Sequence, residues 1–179
     1  MEALINDTYF WGELYIPKLS NTSSNVLSQA AMSGKNDLDM YIAKYQKEYL
    51  IQMFGADLAA DLPPELIALV VDEETKTSPI ANVVYYHWMR ANQTSTLPTG
   101  EKSIAVMNSI IRSGNEKMCR AWNAGVTKNR KIHEDLYTAE TITVNVGEDD
   151  ETILNWQDDI AANIDFTDNI FVNINEFNI

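Results

Sequence analysis

Ser78-Pro79-Ile80-Ala81-Asn82-Val83-Val84-Tyr85-Tyr86-His87-Trp88-Met89-Arg90 is the stretch on which the fold turns. Ser78 is a good N-cap type, and Pro79 suits a first helical turn, where its missing N–H would have had no partner anyway. At ~100° per residue, Ile80, Val84 and Trp88 lie on one side, Tyr85 and Met89 on another, and Val83 and Tyr86 fill much of the rest. A helix apolar all round has to be covered all round, which predicts the centre of a helical bundle. In a chain of 179 residues, some of that cover is expected from a neighbouring copy. His87 lies inside this helix and reads as a hydrogen-bonded structural histidine rather than a ligand or base.

On the N-terminal side, Leu38, Tyr41, Ile42, Tyr45, Tyr49 and Met53 recur at three- and four-residue steps, predicting a helix from Asn36 or Asp37 that Gly55 stops. A shorter helix over Glu65–Glu73 follows Pro63-Pro64. Further back, Thr8 to Pro17 packs four aromatics into an arm. Tyr9, Phe10 and Trp11 either tuck into the chain's own core or mark a partner surface, and Ser20–Asn25 reads as a polar loop. On the C-terminal side, Asn92–Glu101 reads as an exposed polar loop. A last long helix over 113–137 opens with the capping-box spacing of Ser113 and Glu116. Met118, Trp122, Val126, Ile132 and Leu136 gather on one of its faces, and Lys117, Arg120, Lys128 and Lys131 on the other. That basic stripe is either solvated surface or a dock for an acidic partner, for which the chain's own tail on an adjacent copy is a candidate.

After Thr138 the period changes. Ile142, Val144 and Val146 alternate with polar residues, predicting a strand closed by Gly147-Glu148-Asp149-Asp150. Ile164 and Phe166, then Ile170, Val172 and Ile174 across Asp168-Asn169, read as a hairpin, and Phe177 lies near the end. The formal charge of −13 divides at the same point. Residues 1–138 hold all 13 Lys and Arg against 16 acids, whereas residues 139–179 hold 10 acids and no base. Two units are therefore expected: a helical domain over 1–138 with its aromatic arm, and an acidic, strand-rich extension over 139–179. An isolated hairpin is marginal in water, so this extension needs a surface, either its own helices or the strands of neighbouring copies.

Motifs for chemistry are missing. There is no phosphate-cradling glycine loop, no HExxH and no paired cysteines, and the two histidines, His87 and His133, have no sequence-adjacent partners that would build a nucleophile or metal site. The acids of 147–151 and Asp158-Asp159 lack the ordered calcium-loop pattern. Cys119 reads as a small buried thiol. The N-terminus carries acid where a secretory leader carries base, and the longest aliphatic run, Leu66–Val71, falls far short of the roughly 20 residues of a membrane helix. These features predict a protein that is not an enzyme, needs no cofactor or metal and enters no membrane. An excess of acid also disfavours nucleic-acid binding.

Four segments, in order over residues 8–123, resemble a known family. They are Thr8-Tyr9-Phe10-Trp11-Gly12-Glu13-Leu14, the run Tyr41 to Leu50, the run Thr77 to Arg90, and Arg120-Ala121-Trp122-Asn123. They look like the landmarks of small helical virion proteins from phages of Bacteroidota, including crAss-like phages: the head-to-tail connectors, also called adaptors or ring proteins. The resemblance implies a mainly α fold, a bundle of about four helices, here with a C-terminal hairpin extension. It implies a structural subunit of the virion neck, present in the host cytoplasm during assembly. Such a subunit sits in a ring usually of twelve copies beneath the portal protein, bridges to a further tail or neck protein, and carries no catalytic residues. DNA would pass through the lumen without specific binding, since an acidic lining offers phosphates no counter-charge. The 94–101 loop and the stretch after residue 139 depart from the family's common form. The reading from another class is a soluble adaptor or regulator that binds acidic partners or nucleic acid through the basic face of helix 113–137.

Overall fold

Helix α4, Pro79–Asn92, lies at the centre for a local and a global reason. Locally, the Ser78 hydroxyl accepts from the Ile80 amide at 3.1 Å and donates to the Val70 carbonyl at 2.6 Å, so one side chain caps the helix and ties it to the preceding one. Globally, every residue from Pro79 to Tyr86 is buried. The computed structural model of the chain describes residues 2–16, 29–92, 94–97, 100–103, 114–145, 151–167 and 169–175. Within it, α4 packs chiefly between α1, Gln29–Phe54, and α5, Gly114–Ala139. The expected cover from a neighbouring copy is therefore corrected: one chain covers residues 79–86 of the central helix, where no neighbouring copy is needed, whereas His87, Trp88 and Met89 stay only partly buried.

The architecture is mainly α with a C-terminal two-stranded hairpin, as the sequence predicted, although several boundaries move. Helix α1 starts at Gln29, ahead of Asn36, because Ala30, Ala31 and Met32 favour helix strongly and outweigh a polar pair that is tolerated inside one. It ends at Gly55, whose φ of 84° only glycine adopts without strain. A short α2, Ala56–Ala60, precedes α3, Pro64–Val70. Helix α3 stops before Glu73 because Asp72 builds a turn: its carboxylate accepts from the Glu74 and Thr75 amides, and Asp72 bridges to Thr77. The segment read as a polar loop after α4 instead pairs with itself, β1 (Thr94–Leu97) against β2 (Gly100–Ser103). Its threonines are β-branched, which suits a strand even when no apolar alternation announces one. Helix α5 follows the expected span closely, and Ser113 lies outside the described residues.

The tail differs most. Strand β3, Thr141–Asn145, forms where its alternation predicts, but its antiparallel partner is β4, Glu151–Asn155, with Thr143 opposite Ile153 and Asn145 opposite Glu151. Residues 164–174 form no hairpin. Trp156–Ile160 is one wide helical turn, tight turns occupy Ala161–Asn163 and Asn169–Phe171, and the chain runs back along α5. The physical reason lies in α5, whose side chains take the backbone groups that a partner strand would have paired. Asn129 donates to Ile170 O at 2.8 Å, Trp122 to Val172 O at 3.0 Å, and Arg130 to Phe171 O through two N–H groups. Asn123 bonds both the N–H and C=O of Ile174. Ile160, Ile170 and Phe171 join the same core as the helices, so the stretch after residue 139 is not a separate object.

Candidate interaction surface

The N-terminal arm is set by α1. The Gln46 side chain accepts from Leu4 N at 2.7 Å and donates to Glu2 O at 3.0 Å, which draws Ile5, Tyr9, Phe10 and Ile16 into the core. Tyr9 and Phe10, expected among the interface candidates, are thus core residues, buried to 2% and 0% exposure. Trp11 stays half exposed, its indole N–H held by Lys76 O at 2.9 Å.

The basic face of α5 is largely occupied within the chain. The Lys117 ammonium lies 5.3 Å from the centre of the Tyr85 ring, and Arg120 reaches Glu116 at 3.8 Å. Partial burial lowers the Lys128 ammonium below its usual range, opposed by the nearby carboxylate of Asp72. Lys131 is exposed and has no ion pair among the described residues. Lys128 and Lys131 rim a groove of about 310 Å³ between α3 and α5, floored by Ala68, Leu69, Val70, Pro79 and Ile132, with Asp72 and Asp135 at its margins. Leu69 is 37% exposed there.

Of the tail candidates, Val144 and Ile170 are buried, Ile142, Ile164 and Ile174 are partly buried, and Phe166 and Val172 are nearly half exposed. Val146 and Phe177 lie outside the described residues. The hairpin itself is pinned: Trp156 N donates to Glu140 O at 2.8 Å, and the Asn145 amide donates to Glu65, whose carboxyl is lowered first by its own backbone hydrogen bond and then by Asn145. Among the described residues no third strand joins β3 and β4. Ile153 projects from β4 at 67% exposure, with Glu151 exposed beside it. Sequence reasoning missed this strand. Thr152-Ile153-Leu154, directly after the acids of 148–151, was the available signal, and those acids hid it.

The two histidines occupy different seats. His87 stacks on Tyr45 at 3.9 Å and meets Tyr86 and Trp122 edge-on, beside a cleft of about 270 Å³ that Glu48, Gln52 and Arg90 also line. Its described contacts are ring contacts rather than the expected hydrogen bonds, and burial, with Arg90 and Lys44, pushes its pKa down to about 4. His133 accepts from the Trp156 indole at Nδ1 and donates from Nε2 to Met53 O. Among the described residues no group of three or more His, Cys, Asp or Glu converges as a metal site, and no described helix is long and apolar enough to cross a membrane. Neither a protein-family model, a curated protein nor a solved structure matches the chain.

Proposed function

We propose that the chain is a structural subunit acting without catalysis: a head-to-tail connector of a tailed phage, assembled copy against copy in a ring between portal and tail. The observation that carries this reading is the hairpin β3–β4, tied to α3 through Asn145 and Glu65 and joined by no third strand among the described residues, with Ile153 two-thirds exposed. A pinned, edge-exposed strand with an apolar side chain is a surface built for association, because left bare it is an aggregation hazard. The resemblance over residues 8–123 supplies the kind of assembly. The support does not come from residues 79–86 of the central helix, which a single copy covers. An adaptor gripping acidic partners or nucleic acid through α5 has less behind it, since Lys117, Arg120 and Lys128 already face Tyr85, Glu116 and Asp72.

Electron microscopy of the full chain mixed with the portal protein encoded beside it tests the reading. A closed ring of extra density under the portal is the expected result. A chain that never binds a portal, or one encoded in a metabolic operon, overturns it.

A further inference from the structure

Among the described residues Ile153 is exposed and does not line the α3–α5 groove, and the chemistry of the two matches. Ile153 is a branched aliphatic knob with a carboxylate, Glu151, two residues away on the same face of β4. The groove is lined by aliphatic side chains, with Lys128 and Lys131 as well as Asp72 and Asp135. Residues two apart in a strand are separated by roughly 6.5 Å, and Lys128 and Lys131, three apart on a helix, are neighbours at roughly 5–6 Å. An isoleucine seated between them therefore brings the carboxylate within reach of Lys131, the lysine that Asp72 does not face.

From this complementarity we infer that the groove between α3 and α5 receives Ile153 and Glu151 of a second copy of this chain. The inference rests on the subunit reading above and names its contact. In its own chain Ile153 does not line the groove, and the Asn145–Glu65 bond ties the hairpin to α3. Charge selects the partner in the same direction. Five of the 13 Lys and Arg lie within 117–131, and residues 139–179 contain no base at all, so a neighbour's hairpin brings only carboxylates to the most basic part of the chain. The groove's own acids leave Lys131 for that pairing: Asp72 has one oxygen engaged by the amides of its turn and faces Lys128, and Lys131 has no ion pair among the described residues. Since knob and groove are different surfaces, each copy offers one of each, the head-to-tail arrangement that closes into a ring.

Mixing two full-length variants, Ile153→Cys and Leu69→Cys, under mild oxidation tests the contact, because a disulfide forms only where the two Cα atoms approach to about 4.4–6.8 Å. The native Cys119 is buried and stays out of the reaction. The expected result is a cross-linked pair at least tenfold more abundant than that of Ile153→Cys with Met40→Cys, an exposed site on α1. Lys131→Glu should weaken self-association measured by sedimentation, and Glu151→Lys in the same chain should restore it. Equal cross-linking to both sites, or none, overturns the contact. If rings still form on the portal without cross-linking, the groove is wrong and the subunit reading stands. If cross-linking succeeds but no portal binds, the contact stands and the connector reading fails.

Discussion

His133 holds its proton on Nε2, because Nδ1 accepts from the Trp156 indole while Nε2 faces the Met53 carbonyl. Burial, only partly offset by the Met53 hydrogen bond, lowers its pKa from 6.5 to about 4. The folded chain thus favours the neutral ring, whereas the unfolded chain takes up a proton near 6.5. The stability this represents is complete above pH 6.5 and drains away as pH falls toward 4. Urea unfolding at pH 7 and pH 5 should show that loss, and His133→Gln should reduce the difference while leaving part of it to His87. A variant with the acid sensitivity of the parent would show that His133 is not its source. Asn129, fully buried, accepts from Tyr49 Oη and donates to Ile170 O, both at 2.8 Å. Asn129→Ala strands a buried hydroxyl and a buried carbonyl and should cost about 2–4 kcal/mol. Adding Tyr49→Phe should cost less than it does alone, by about 1 kcal/mol in a double-mutant cycle.

At the scale of elements, Gly55 joins two requirements. Its φ of 84° turns the chain out of α1, and a Cβ there would lie 2.9 Å from the Cβ of Asn163. Gly12, with a φ of 58°, has nothing within 4 Å of the same added atom. Gly12→Ala should therefore cost only the backbone strain, about 1 kcal/mol, and Gly55→Ala roughly 1–3 kcal/mol more in thermal or denaturant unfolding, because its φ of 84° with ψ of 163° is essentially restricted to glycine and Asn163 must also move. Equal costs would mean that the tail yields without resistance. The tail's seating on α5 makes the opposite expectation reasonable, since five side-chain-to-backbone partnerships hold 170–174 in place.

For the whole molecule, the consequence is that the acidic stretch belongs to the fold. Ending the chain after Ala139 removes Ile160, Ile170 and Phe171 from the core and leaves Asn129 and Arg130 without the carbonyls they bind. That truncation should lose cooperative unfolding and near-ultraviolet circular dichroism, and a stable, cooperatively folding 1–139 fragment would restore the picture of an independent extension. Association therefore has to be probed by surface substitution in the full chain, which leaves the core intact.

Much of the architecture was legible in the residues themselves. Apolar steps of three and four define α1, α4 and α5, Pro79 and Gly55 mark a start and a stop, and strict alternation gives β3. These signals are local, since a helix or strand advertises its own apolar face. The proposed contact was legible only in part: Lys128 and Lys131 stood out, and Glu151 among the acids of 147–151, but Leu69 and Ile153 did not. Alternation at 164–174 says that side chains alternate between cover and solvent, yet not whether a strand or the flank of a helix supplies the cover. Tertiary structure decided that, because Asn123, Asn129 and Arg130 offer hydrogen-bond partners to backbone groups some 40–50 residues away, at distances no sequence period encodes.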